Sequence, residues 1–149
     1  MFFSNSNIDT HEEYCRRLAA ARTLAAAEGV ELVEDVYDHD DWLRNVADGF
    51  EGEPERGRRC ERCYRYNLAR TAKMAAERGF GEFTTSLTVS PHKPSAKVFA
   101  ASDDPRFLHE DFKKREGFKL SVRRAAELGL YRQPYCGCEF SRRRKDEAT

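Results

Sequence analysis

The sequence predicts an α/β domain with a mostly parallel sheet. Strand-like segments alternate with helical ones, and the helical runs close on Gly29, Gly49, Gly79 and Gly129. Polar loops at residues 4–10, 90–93 and 111–115 follow the predicted strands. Open parallel sheets bind ligands at the carboxyl ends of their strands, so these loops are expected on one edge, with the cysteine pairs joining them there. With 149 residues the chain can bury one core. The expected organisation is a single domain over residues 1–141 and a basic, disordered tail over 142–149.

In chain order, Phe2 and Phe3 read as the end of a strand. Thr10 caps a helix with Glu12 and Glu13 in its first turn, and Leu18, Ala21, Leu24 and Ala25 follow at helical spacing. Cys15 falls inside this helix as a small apolar filler. Residues 30–37 mix acidic and β-branched residues and predict a strand, and a short helix starts at residues 40–43. Residues 50–57 carry two glycines and Pro54 and predict a loop. A helix is expected over 61–78. Residues 83–89 (FTTSLTV) give the strongest strand pattern in the chain. A short helix near 96–101, a short strand at Phe107 and Leu108, and a last helix over 117–128 complete the prediction.

Four of the five cysteines form two tight pairs, Cys60 with Cys63 and Cys136 with Cys138. The first pair lies at a predicted helix start among Arg58, Arg59, Arg62 and Arg65. The positive end of the helix dipole and these cations both favour thiolate, the form that binds metals and attacks electrophiles. Four thiols suit tetrahedral zinc, which makes a structural or RNA-binding zinc module one reading. The other is redox chemistry: Gly137 permits the bent backbone that a dithiol so closely spaced requires. Charges balance to a formal net of +0, so net charge gives no reason to expect nucleic acid; arginine, however, clusters near Cys60 and again at residues 142–145. No apolar run is long enough to cross a membrane and no signal-like segment is evident. A cytoplasmic protein with no membrane partner is therefore expected, a compartment where paired cysteines serve metals or redox catalysis.

Taken together, Arg59-Cys60-Glu61-Arg62-Cys63-Tyr64, residues 84–93 (TTSLTVSPHK), residues 111–118 (DFKKREGF) and residues 129–141 (GLYRQPYCGCEFS) resemble the cobalamin-independent epoxyqueuosine reductases of the QueH type. Residues 2–17 resemble that family's segment after its first strand. The resemblance implies a three-layer Rossmann-like (HUP-like) fold. It also implies reduction of epoxyqueuosine to queuosine in tRNA by an iron–sulfur oxidoreductase, which draws on a separate electron donor. Cys60 and Cys63 match ligands of a 4Fe-4S cluster, beside which the family carries an additional iron ion. Cys136 and Cys138 match the family's redox-active pair, although metal ligation by both is an open alternative. The family's N-terminal strand and its adjacent cysteine pair have no counterpart here. The expectation is that Met1 is not the start of the functional protein, and that this chain alone is close to inactive.

His92, Asp111, Lys113, Tyr131 and Arg132 are candidates for substrate binding. His92 suits a general acid or a phosphate contact, and equally a loop histidine capping backbone. Asp111 and Lys113 lie in a charged run that is either tRNA-facing or a solvated turn. Tyr64, Tyr66, Tyr131 and Tyr135, interleaved with Arg65 and Arg132, suit either stacking on an extruded base or packing.

Overall fold

The computed structural model describes residues 1–146, with side chains as far as Arg142. Residues 143–145 of the basic run therefore lie outside the described side chains. The chain divides into two compact units, one comprising Met1–Glu51 with the chain from Arg124 onward, the other Gly52–Arg123. The α/β class holds: six α-helices accompany a small parallel sheet among the described residues.

In the first unit, β1 (Phe2–Phe3) pairs in parallel with β2 (Val33–Glu34). Between them runs α1 (His11–Ala27), whose N-terminus is capped by Thr10 as expected, the Glu13 N–H donating to Thr10 Oγ1. The strand predicted over residues 30–37 shortens to two residues, and Val36 beyond it bonds side chains instead of a neighbouring strand. Val36 N–H donates to the Asp35 carboxylate, and Ser6 Oγ donates to Val36 O. Helix α2 (His39–Trp42) runs into a single π-helical turn, Leu43–Ala47. Ile8, Tyr14 and Leu18 form a buried cluster completed by Phe3, Leu32 and Tyr37. A helix absent from the sequence reading, α6 (Glu139–Asp146), follows the second cysteine pair.

The second unit is built on α3 (Arg58–Glu77) and α4 (Ser95–Phe99). Helix α3 starts three residues earlier than predicted, which places Cys60 in its first turn. Glu53 accepts from the Arg58 N–H and from its guanidinium, and Pro54 O accepts from Gly57 N–H. A Cβ at Gly57 would stand 2.9 Å from both Glu53 Oε2 and Pro54 O, so this entry to the helix admits only glycine. Tyr64, Leu68, Val98 and Phe107 make the core, with Cys60, Phe83 and Leu87 against it. Helix α5 (Gly117–Glu127) matches its prediction within one residue.

The clearest departure is residues 83–89. Phe83 makes one parallel bridge to Phe107, while Ser86–Val89 coils into a 3-10 turn instead of continuing as a strand. The same β-branched residues that suggested a strand carry hydroxyls that satisfy nearby backbone. Thr85 Oγ1 accepts from Leu87 N–H, and the fully buried Thr88 Oγ1 donates to Glu110 O and accepts from Phe112 N–H.

Candidate functional site

Cys60 and Cys63 occupy the first turns of α3 three residues apart, a spacing that places both on one helical face. Both are half-buried, and each sulfur accepts a hydrogen bond. Arg56 N–H donates to Cys60 Sγ at 3.2 Å, and Asn67 Nδ2 donates to Cys63 Sγ at 3.6 Å. N–H donors to sulfur are what hold and tune thiolate ligands in iron–sulfur sites. Asn67 Oδ1 is buried without a hydrogen-bond partner among the described residues, so a polar atom is committed to this turn at a cost. This pair therefore fits two thiolate ligands of a cluster.

The loops around it bring His92 to the same place. Arg56 Nη2 donates to His92 Nδ1 at 3.1 Å, leaving the exposed ring to donate through Nε2. Lys97 Nζ donates to Arg56 O and pairs with Glu61, each at 2.8 Å. Of the three loops expected on one edge, two meet: Lys113 Nζ, on the 111–115 loop, donates to Thr88 O, Lys93 O and Ser95 Oγ around the 90–93 loop. Asp111 pairs with that ammonium at 3.5 Å. Burial works against ionising its carboxyl, but the Lys113 N–H and ammonium together hold it below the usual aspartate range. Lys113 thus spends its donors on its own loops. Tyr64 is a core residue at 4% exposure, which removes it as a stacking platform.

The second cysteine pair is braced within the first unit. Asp9 N–H donates to Gly137 O at 2.9 Å, tying the loop after β1 to the Cys-Gly-Cys turn. Gly137 sits at φ +144°, a conformation glycine tolerates and other residues resist. Ser141 Oγ accepts from Gly137 N–H and donates to Cys138 O at the start of α6. Arg17 donates to Cys136 O at 2.7 Å and to Tyr135 O at 3.2 Å, while its Nε pairs with the buried Glu13 at 2.8 Å. Tyr131 Oη closes the network on the Glu13 carboxylate at 3.0 Å. Guanidiniums of Arg17 and Arg142 lie over the Tyr135 ring, and burial raises the Tyr135 phenol above its ordinary value. Cys138 is buried, Cys136 half-buried and Arg132 exposed. Cys15, expected as a filler, is exposed on α1 beside His11.

Sequence reading missed one constellation altogether. Asp9, His39 and Glu139 offer ligand atoms within 4.8 Å of one another. His39 Nε2 lies 3.3 Å from Glu139 Oε1, and this hydrogen bond raises the imidazole pKa against the opposing effect of burial. These residues are 30 and 100 positions apart, so no spacing rule connects them.

The model for the family described as "Epoxyqueuosine reductase QueH" matches residues 1–144. An epoxyqueuosine reductase QueH of Streptococcus pyogenes serotype M1 is 37% identical over 153 residues, covering 95% of this chain and 60% of that protein. Those of Dehalococcoides mccartyi and Thermotoga maritima are each 34% identical, with 95% and 94% of this chain and 77% of each relative covered. The chain thus spans about three fifths of the length of the streptococcal relative. With a family match running almost from end to end, the chain belongs to the QueH family of epoxyqueuosine reductases.

Proposed function

We propose that this chain serves the reduction of epoxyqueuosine to queuosine in tRNA, with Cys136 and Cys138 as the dithiol that delivers the electrons. The observation that carries this reading is the braced Cys-Gly-Cys turn in a chain of this family. Five hydrogen bonds, from Asp9, Arg17, Gly137 and Ser141, hold the backbone of a turn that carries two cysteines one residue apart. Converting the epoxide to an alkene breaks two C–O bonds, consumes two electrons and two protons, and releases the oxygen as water. The dithiol supplies both electrons and both protons as it closes to a disulfide, and an external electron donor reopens it.

Cys60 and Cys63 would supply two of the four ligands of a 4Fe-4S cluster, which when bound supplies electron relay and Lewis acidity. His92, with Nδ1 held by Arg56, presents Nε2–H to a substrate phosphate or a leaving oxygen. The exposed Arg132 would meet tRNA phosphate, whereas Asp111, Lys113 and Tyr131 act by holding the loops. A three-layer Rossmann-like architecture and a cytoplasmic setting accompany this reading; among the described residues, no helix is long and apolar enough to cross a membrane.

The test is Cys136→Ala, reconstituted without oxygen and assayed on tRNA carrying epoxyqueuosine. Retained iron and sulfide with turnover abolished supports the redox role. Parallel loss of cluster and turnover makes the pair a ligand set and overturns it.

A further inference from the structure

We propose that Asp9, His39 and Glu139 form a binding site for one divalent first-row transition-metal ion. The three side chains come from the loop after β1, the start of α2 and the first residue of α6, and their ligand atoms converge within 4.8 Å. A bound ion at about 2.0–2.2 Å from each donor would require only a modest closure of that triangle.

The imidazole is prepared for ligation. His39 Nδ1–H donates to Ser6 O at 2.8 Å, which holds the ring with Nε2 on the Glu139 side of the site, where an incoming ion would replace the proton shared with Glu139. A metal-ligating histidine is typically fixed in this way, its far nitrogen donating to a backbone carbonyl. The anchor is rigid, since Ser6 is 1% exposed and the ring stacks on the buried Trp42 at 5.5 Å between centroids. The three side chains are sheltered but reachable, at 15%, 23% and 27% exposure for His39, Glu139 and Asp9.

Charge points the same way. Two carboxylates face one another across this site, each already matched to a cation of the chain: Glu139 to His39, and Asp9 to Arg142. A divalent ion would neutralise both carboxylates at once, displacing Arg142 and taking the imidazole in its neutral form. One nitrogen and two carboxylate oxygens make a hard-to-borderline donor set, suited to Mn(II), Fe(II) or Zn(II) and unsuited to soft ions that prefer thiolate. The site adjoins the Cys-Gly-Cys turn, because Asp9 N–H bonds Gly137 O and Glu139 follows Cys138. The inference stands apart from the redox assignment of that turn.

Titration with Mn(II) under electron paramagnetic resonance tests it, because Mn(II) favours oxygen and nitrogen donors and leaves thiols aside. The expected result is one Mn(II) bound per chain. Glu139→Gln and His39→Ala each weaken binding by about tenfold or more. Arg142→Ala tightens it, by removing the cation that competes for Asp9. Trp42 fluorescence verifies that each variant is folded. Failure of the unaltered chain to bind Mn(II) stoichiometrically, or one shared affinity across Glu139→Gln, Arg142→Ala and the unaltered chain, overturns the proposal.

Discussion

Replacing Gly137 by alanine perturbs the point where most of the candidate site's constraints meet. At φ +144° an alanine occupies a backbone conformation that costs about 1–3 kcal/mol. The added Cβ would also stand 3.1 Å from Arg17 Nη1, 3.2 Å from Asn7 Nδ2 and 3.3 Å from Ile8 Cγ1. None of the three gives way easily. Arg17 is held by Cys136 O and Glu13, Asn7 is buried, and Ile8 is the centre of its core cluster at 1% exposure. Steric crowding therefore adds to the conformational cost, and the sum is expected near ~3 kcal/mol, a sizeable part of a typical domain stability. Urea unfolding followed by the single tryptophan measures it, since Trp42 is buried within the same unit. With a slope of ~2 kcal/mol/M, the midpoint falls by about 1.5 M. A shift below about 0.3 M would show that the turn relaxes freely and that the bracing described here constrains nothing.

Other expectations follow from single contacts. Cys60→Ser and Cys63→Ser are each expected to lose iron and sulfide on anaerobic reconstitution, because a neutral hydroxyl does not replace a thiolate; unchanged iron in both would remove this pair from the cofactor. Arg17→Ala leaves Glu13 buried without its guanidinium and is expected to cost about 3–5 kcal/mol, read as a lowered urea midpoint. Arg17→Lys, which keeps the charge, should recover part of that loss. Hydrogen bonding from Arg106 holds the Asp104 carboxyl below its ordinary range. A carboxylate whose folded pKa is depressed stabilises above its unfolded value and loses that contribution as pH falls through the folded one. Stability of Asp104→Asn should accordingly decline less steeply over that acid interval, and identical acid profiles would contradict the assignment.

Local pattern alone located five of the six α-helices among the described residues. Thr10 as a cap, the stop at Gly29, the periodic Leu68, Ala72 and Ala75, and the run from Gly117 are written in neighbouring residues, because capping and helical spacing act within one or two turns. Cys60 at a helix start was legible for the same reason, as was the loop over residues 50–57. Short-range pattern failed where one residue type serves two ends. The threonines of residues 84–88 have the branching of a strand and the hydroxyls of a turn, and only Glu110 O and Phe112 N–H, brought from more than 20 positions away, decided between them. The same limit hid α6.

Tertiary structure also decided what the charged residues do. The sequence presented Lys113 and Tyr131 as groups for a substrate, yet folding turns the ammonium onto Thr88 O and Lys93 O and the phenol onto Glu13. Asp9, His39 and Glu139 carry no motif between them and meet only because the loop after β1 and the starts of α2 and α6 come to one place. A motif records chemistry that neighbours along the chain perform together. Convergence of distant side chains is fixed by packing, whose outcome depends on every contact at once and leaves no local trace.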